Sequence, residues 1–151
     1  MDHREKSERI AGAVSALRFE PQALARAAQA LGLRLVVLFG SRVRGLARPE
    51  SDLDLAVLGC PAERFLDCHA VLGEVFRGEA LDLVRLEDAD ALLRHEVLRD
   101  GLLLWGDPDL HCELRAYAYR DFVDSADLFA LEEALSRKKL ARIREKLGAP
   151  T

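Results

Sequence analysis

The chain contains no apolar run near the ~20 residues of a membrane span, and its start, MDHREKSER, has no signal-peptide h-region. These absences set the expectation of a cytoplasmic protein with no membrane partner. Cysteine is scarce: Cys60, Cys68 and Cys112 are an odd set without tight paired spacing, which excludes a disulfide scaffold and suits a reducing compartment. Cys68-His69 and His111-Cys112 are adjacent pairs with no second pair at zinc spacing, so neither makes a zinc site. Lysine is rare, 4 against 18 arginines, and the net charge of −4 gives no general attraction to nucleic acid. Internal repeats and low-complexity tracts are missing too. What remains is a 151-residue chain, 50% apolar, enough for one core.

Its apolar pattern alternates between helical and extended periods, which predicts an α/β (α+β) fold with a small sheet flanked by helices. Helices are expected over 4–18 and over 21–31, the second opened by Pro21 and closed by Gly32. The run LRLVVLF at 33–39 reads as a buried strand between two glycines, and DLDLAVL at 52–58 as a second strand. A helix over 62–77 should bury Phe65, Leu66, Val71, Leu72, Val75 and Phe76. Strand 80–86, helix 88–100 and strand 102–105 complete a domain over 1–106. Residues 107–151 read as a helical extension, two helices with a break near Ser125. About 40 residues rarely bury a core of their own, so this tail must pack on the domain, a second copy or a partner.

The chemistry concentrates in GSRVRGLARPESDLD at 40–54. In the second strand Asp52, Asp54 and Ala56 share one face, while Leu53, Leu55 and Val57 share the other. Two carboxylates held that close repel and call for a cation between them. Mg²⁺ takes hard oxygen ligands, usually one or two carboxylates plus substrate phosphates. Two such ions about 3.5–4 Å apart could stabilise the attacking and leaving oxygens of an in-line displacement. Gly40 lets a phosphate approach the backbone, and Ser41 adds a hydroxyl. A short helix expected near 42–46 would offer free N–H groups, with Arg42 and Arg44 clamping phosphate oxygens. The polar stretch 46–51 is a return loop.

Gly40-Ser41, ten residues, Asp52, one residue and Asp54 together resemble the signature of the DNA polymerase β-like nucleotidyltransferase superfamily. The continuation Arg42-Val43-Arg44-Gly45 is similar to the minimal nucleotidyltransferases (MNT), the antitoxin half of HEPN/MNT toxin–antitoxin pairs. The likeness runs on through LDLVRL at 81–86, where Asp82 matches the third carboxylate, and through LLRHEVLRDGLLLWG at 92–106. It implies a nucleotidyltransferase fold with Asp52, Asp54 and Asp82 as metal ligands for two Mg²⁺ ions, and ATP as substrate. Asp82 would also orient or deprotonate the acceptor, and Gly40, Ser41, Arg42 and Arg44 would bind the nucleotide. It further implies transfer of AMP to a tyrosine of a cognate HEPN ribonuclease toxin. Two alternatives share these residues: a small-molecule (aminoglycoside-type) nucleotidyltransferase, which normally carries a larger second domain, and a non-catalytic antitoxin acting by binding alone.

Other conspicuous residues have plainer readings. His95 is expected on the surface or half-buried, with the resemblance placing it near the cleft. Tyr117 and Tyr119 point different ways on a helix and suit packing on core or partner. Trp105 suits an anchor at the edge of the core. The segment RKKLARIREK at 137–146 holds six cations and one acid, which reads as a helix C-terminus complementing its dipole, with a patch for RNA or an acidic partner as the other reading. The tail's leucine stripe, open to a HEPN partner or a homo-oligomer, is its interface candidate.

Overall fold

The computed structural model describes residues 17–44 and 52–148, with Asp2, Arg4, Glu5, Glu8 and Gly12. Most of the helix expected over 4–18, and all of the loop over 46–51, lie outside the described residues. Helix α1 (Pro21–Leu31) starts on a proline, where a missing N–H costs nothing, and ends at Gly32 with φ +70°, a left-handed closure that suits glycine. Strand β1 (Leu35–Phe39) follows, then β2 (Leu53–Leu58), α2 (Phe65–Val75), β3 (Leu81–Arg85), α3 (Ala91–Asp100), β4 (Leu102–Gly106) and α4 (Pro108–Lys146). Short 3₁₀ turns at Ala62–Arg64 and Leu86–Asp88 take up the starts of the two helices expected from 62 and 88.

The strands form one mixed sheet in the order β3-β2-β1-β4. β1 runs antiparallel to β2 and β4, while β2 and β3 are parallel, as a strand–helix–strand crossover requires. Period-2 alternation divides the core into two layers. Leu53, Leu55 and Val57 face α1 and α2 together with Val36, Leu38, Leu72 and Phe76. Leu35, Val37 and Ala56 face α3 and α4, where they meet Val97, Leu98 and Ala118. Both sheet faces are therefore covered, and the polar positions at the strand ends are left to line the site. In α2, Phe65, Leu72, Val75 and Phe76 enter the core as expected, but Leu66 and Val71 face solvent. The two misplaced residues sit outside the arc of α2 that the sheet and α1 cover.

Two further expectations need correction. The tail is one unbroken 39-residue helix, with no break near Ser125. Asp124, Ser125 and Asp127 are weak helix formers, but no glycine or proline lies between Pro108 and Gly148 to stop the hydrogen-bond ladder. His95 is buried, stacked on Phe122 with ring centroids 4.5 Å apart and tilted against Tyr119 at 5.8 Å. It serves the α3–α4 seam, because α4 returns along α3 and covers that face. Trp105 is partly buried against the first core layer, in keeping with an edge anchor. Among the described residues, no helix is long and apolar enough to cross a membrane.

Candidate active site

The site forms where β1, β2 and β3 end side by side. Phe39 pairs with Asp54 across the β1–β2 ladder, and Asp54 pairs with Asp82 across the β2–β3 ladder. Asp52 lies just ahead of β2 on the same parity as Asp54 and is exposed. The sequence-selected aspartates are thus brought together from two adjoining strands. The Asp54 and Asp82 carboxyls are within hydrogen-bond reach of each other. Burial, then the charges of Asp82 and Asp52, push the Asp54 carboxyl above its ordinary 3.8, while Arg42 pulls the other way.

Gly40 joins this acid cluster to the turn. It leaves β1 with φ +83°, and a Cβ there would collide with Asp54 Oδ2 and come 3.0 Å from its Cγ. Only glycine lets the turn lie directly against the aspartate. Residues 41–44 form a turn in which the Arg44 N–H donates to Gly40 O at 3.3 Å; the remainder of the short helix expected near 42–46 lies outside the described residues.

A cleft of about 370 Å³ opens here, with Gly40, Ser41, Arg44 and Asp54 on one side and Glu96, Arg99 and Asp100 of α3 on the other. A wider depression of about 820 Å³ near Arg34, Trp105 and Glu113 holds none of the aspartates or turn residues expected to carry the chemistry, so its size does not make it the site. Arg42 does not line the cleft. Its guanidinium, largely buried, forks onto Glu79 with one bond at 3.3 Å, tying the turn to the loop before β3. The pair spans 37 residues of sequence, and nothing local in either segment announces it. Arg99 was likewise not selected. It bonds Asp100 at 2.8 Å, a contact that raises its proton affinity. Its signal is the helical spacing of Glu96, Arg99 and Asp100, which places all three on the α3 face toward the strand ends.

Among the described residues, no three acidic, histidine or cysteine side chains form a finished metal cage. An Asp54–Asp82 pair with Asp52 close by nevertheless fits Mg²⁺, whose sphere is normally completed by phosphate oxygens and water.

Residues 24–109 match the family described as Polymerase beta, Nucleotidyltransferase. A curated relative, the protein adenylyltransferase MntA of Aphanizomenon flos-aquae (strain 2012/KM1/D3), is 35% identical over 89 residues, covering 50% of this chain and 59% of the relative. The chain therefore spans less than two thirds of that relative's length. A crystal structure of a toxin-antitoxin with AMP-PNP superposes with a TM-score of 0.56 at 21% identity, covering 85% of this chain and 98% of the other. A tri-AMPylated Shewanella oneidensis HEPN toxin in complex with MNT antitoxin contributes a chain with a TM-score of 0.51 at 20% identity, covering 84% and 95%. These likenesses establish the fold, a four-stranded mixed sheet with a long C-terminal helix.

Proposed function

The chain belongs to the polymerase beta nucleotidyltransferase family, and from that premise we propose that it is an Mg²⁺-dependent, antitoxin-type adenylyltransferase that moves AMP from ATP to a tyrosine of a HEPN ribonuclease toxin. The observation that carries the reading is the Asp54–Asp82 pair set in register against the Gly40-Ser41 turn. Support for the acceptor comes from the MntA relative and from the complex holding an AMPylated HEPN toxin.

In this reading Asp52, Asp54 and Asp82 hold the metal, which when bound neutralises phosphate charge and polarises the α-phosphorus. Ser41 and the backbone after Gly40 bind the terminal phosphates, Arg44 adds a cation from the same side of the cleft, and Arg99 faces them from α3. The tyrosine oxygen attacks the α-phosphorus, the bond to the bridging oxygen breaks, and pyrophosphate leaves with that electron pair. Asp82, exposed beside Asp54, takes the phenolic proton. Arg42 acts through Glu79, holding the turn against β3.

The test is transfer of label from α-labelled ATP to a co-purified HEPN protein in the presence of Mg²⁺. Wild type should label one or more tyrosines, and Asp54→Asn should label none while remaining folded. In the metal-free state Asp54→Asn should melt higher than wild type, since it removes a desolvated charge beside two others. Undiminished labelling by Asp54→Asn would remove the metal assignment.

A further inference from the structure

The proximal part of α4 belongs to the body: His111 and Ala118 are buried, and Leu110 and Leu114 pack on the second core layer. The distal part does not. Every described residue from Ala126 to Gly148 is exposed, so among the described residues no other element covers this stretch. In proteins most helical stability comes from packing an apolar face rather than from propensity. This one carries such a face, with Leu128, Leu131, Leu135, Leu140 and Ile143 all at least 43% exposed.

Charge along the same stretch is polarised. Asp124, Asp127, Glu132 and Glu133 lie before Leu135; Arg137, Lys138, Lys139, Arg142, Arg144 and Lys146 lie after it, with Glu145 the one acid among them. Four of the apolar positions mirror about the midpoint between Leu135 and Ser136: Leu128 with Ile143, and Leu131 with Leu140.

We propose that the distal half of α4 is a self-association element, pairing antiparallel with the same segment of a second copy about a two-fold axis between Leu135 and Ser136. In that register Leu128 lies opposite Ile143 of the second copy, and Leu131 opposite its Leu140. Glu132 and Glu133 then fall beside its Lys139 and Lys138. A parallel pairing would instead set acid against acid and base against base, at a cost in each pair. The interface is isologous, so one patch satisfies itself and the assembly closes at two copies. Self-pairing stands independently of the transfer activity, since no residue of the cleft takes part.

Sedimentation equilibrium on the purified full-length chain should give about twice the 16.8 kDa chain mass. Glu132→Lys/Glu133→Lys should sediment as a monomer, as should Lys138→Glu/Lys139→Glu, and an equimolar mixture of the two should recover the dimer. Direction is read by oxidative crosslinking in a Cys112→Ser background. Leu128→Cys mixed with Ile143→Cys should give a crosslinked dimer, and Leu128→Cys alone should give none. All of these positions are exposed, and circular dichroism checks that the body remains folded. A wild-type chain that stays monomeric up to its solubility limit overturns the proposal. So does crosslinking of Leu128→Cys to itself. A distal helix that is protected only when a HEPN protein or an RNA is added assigns the face to that partner and likewise overturns it.

Discussion

Gly40 shows how one missing side chain sets the site's geometry. Gly40→Ala forces a Cβ onto the Asp54 carboxylate in a left-handed backbone. We expect a loss of at least about 1–2 kcal/mol in urea denaturation, from the left-handed penalty plus displacement of Asp54, with transfer lost as well. The cysteines give a second residue-scale expectation. Burial, then neighbouring Cys60, push the Cys68 thiol up to about 12, and Cys60 is buried with it, while Cys112 is exposed. Ellman's reagent should therefore titrate one thiol in the native protein and three after denaturation; two fast native thiols would contradict that packing. The aspartates and the Gly-Ser turn were legible in the sequence because strand periodicity and a fixed spacing place them. The Arg42–Glu79 fork was not, because a side chain's choice between substrate and a distant carboxylate depends on how two loops meet.

Element boundaries followed from local chemistry wherever a cap or breaker was present: Pro21 and Gly32 around α1, Asp90 accepting from Leu93 N–H at the start of α3, and Asp107 before Pro108 at the start of α4. The sequence misled where propensity was weak and no breaker stood, at Ser125, and where a helix's covering neighbour could not be foreseen, at His95. The α4 helix also carries a titrating strain. His111 is buried with Nε2 unpartnered, and burial, then Arg115, lower its proton affinity below the ordinary 6.5. The unfolded chain thus binds the proton more readily. The corresponding stability is fully present above pH 6.5 and is lost as pH falls through the lower folded value. His111→Leu should remove that acid-side slope and, by deleting a buried orphan N–H, add about 1 kcal/mol at pH 8. Equal slopes in the two proteins would assign the acid sensitivity elsewhere.

For the molecule as a whole, α4 divides into an integral and a projecting part. A chain ending at Asp107 loses Leu110, Leu114 and Ala118 from the second core layer and should not fold. One ending at Ser125 loses, among the described residues, only exposed ones, and at low concentration its stability should lie within about 0.5 kcal/mol of the full chain while ATP binding is kept. A cooperative melt from the shorter truncation would show that the sheet closes without α4. Because α4 runs unbroken for about 58 Å at ~1.5 Å per residue, whatever grips its far end also holds the turns that seal the body. Folding and association then draw on a common equilibrium. Melting temperature becomes a function of protein concentration, rising with each dilution step reversed, and a cell that makes more of this chain makes each molecule of it harder to unfold.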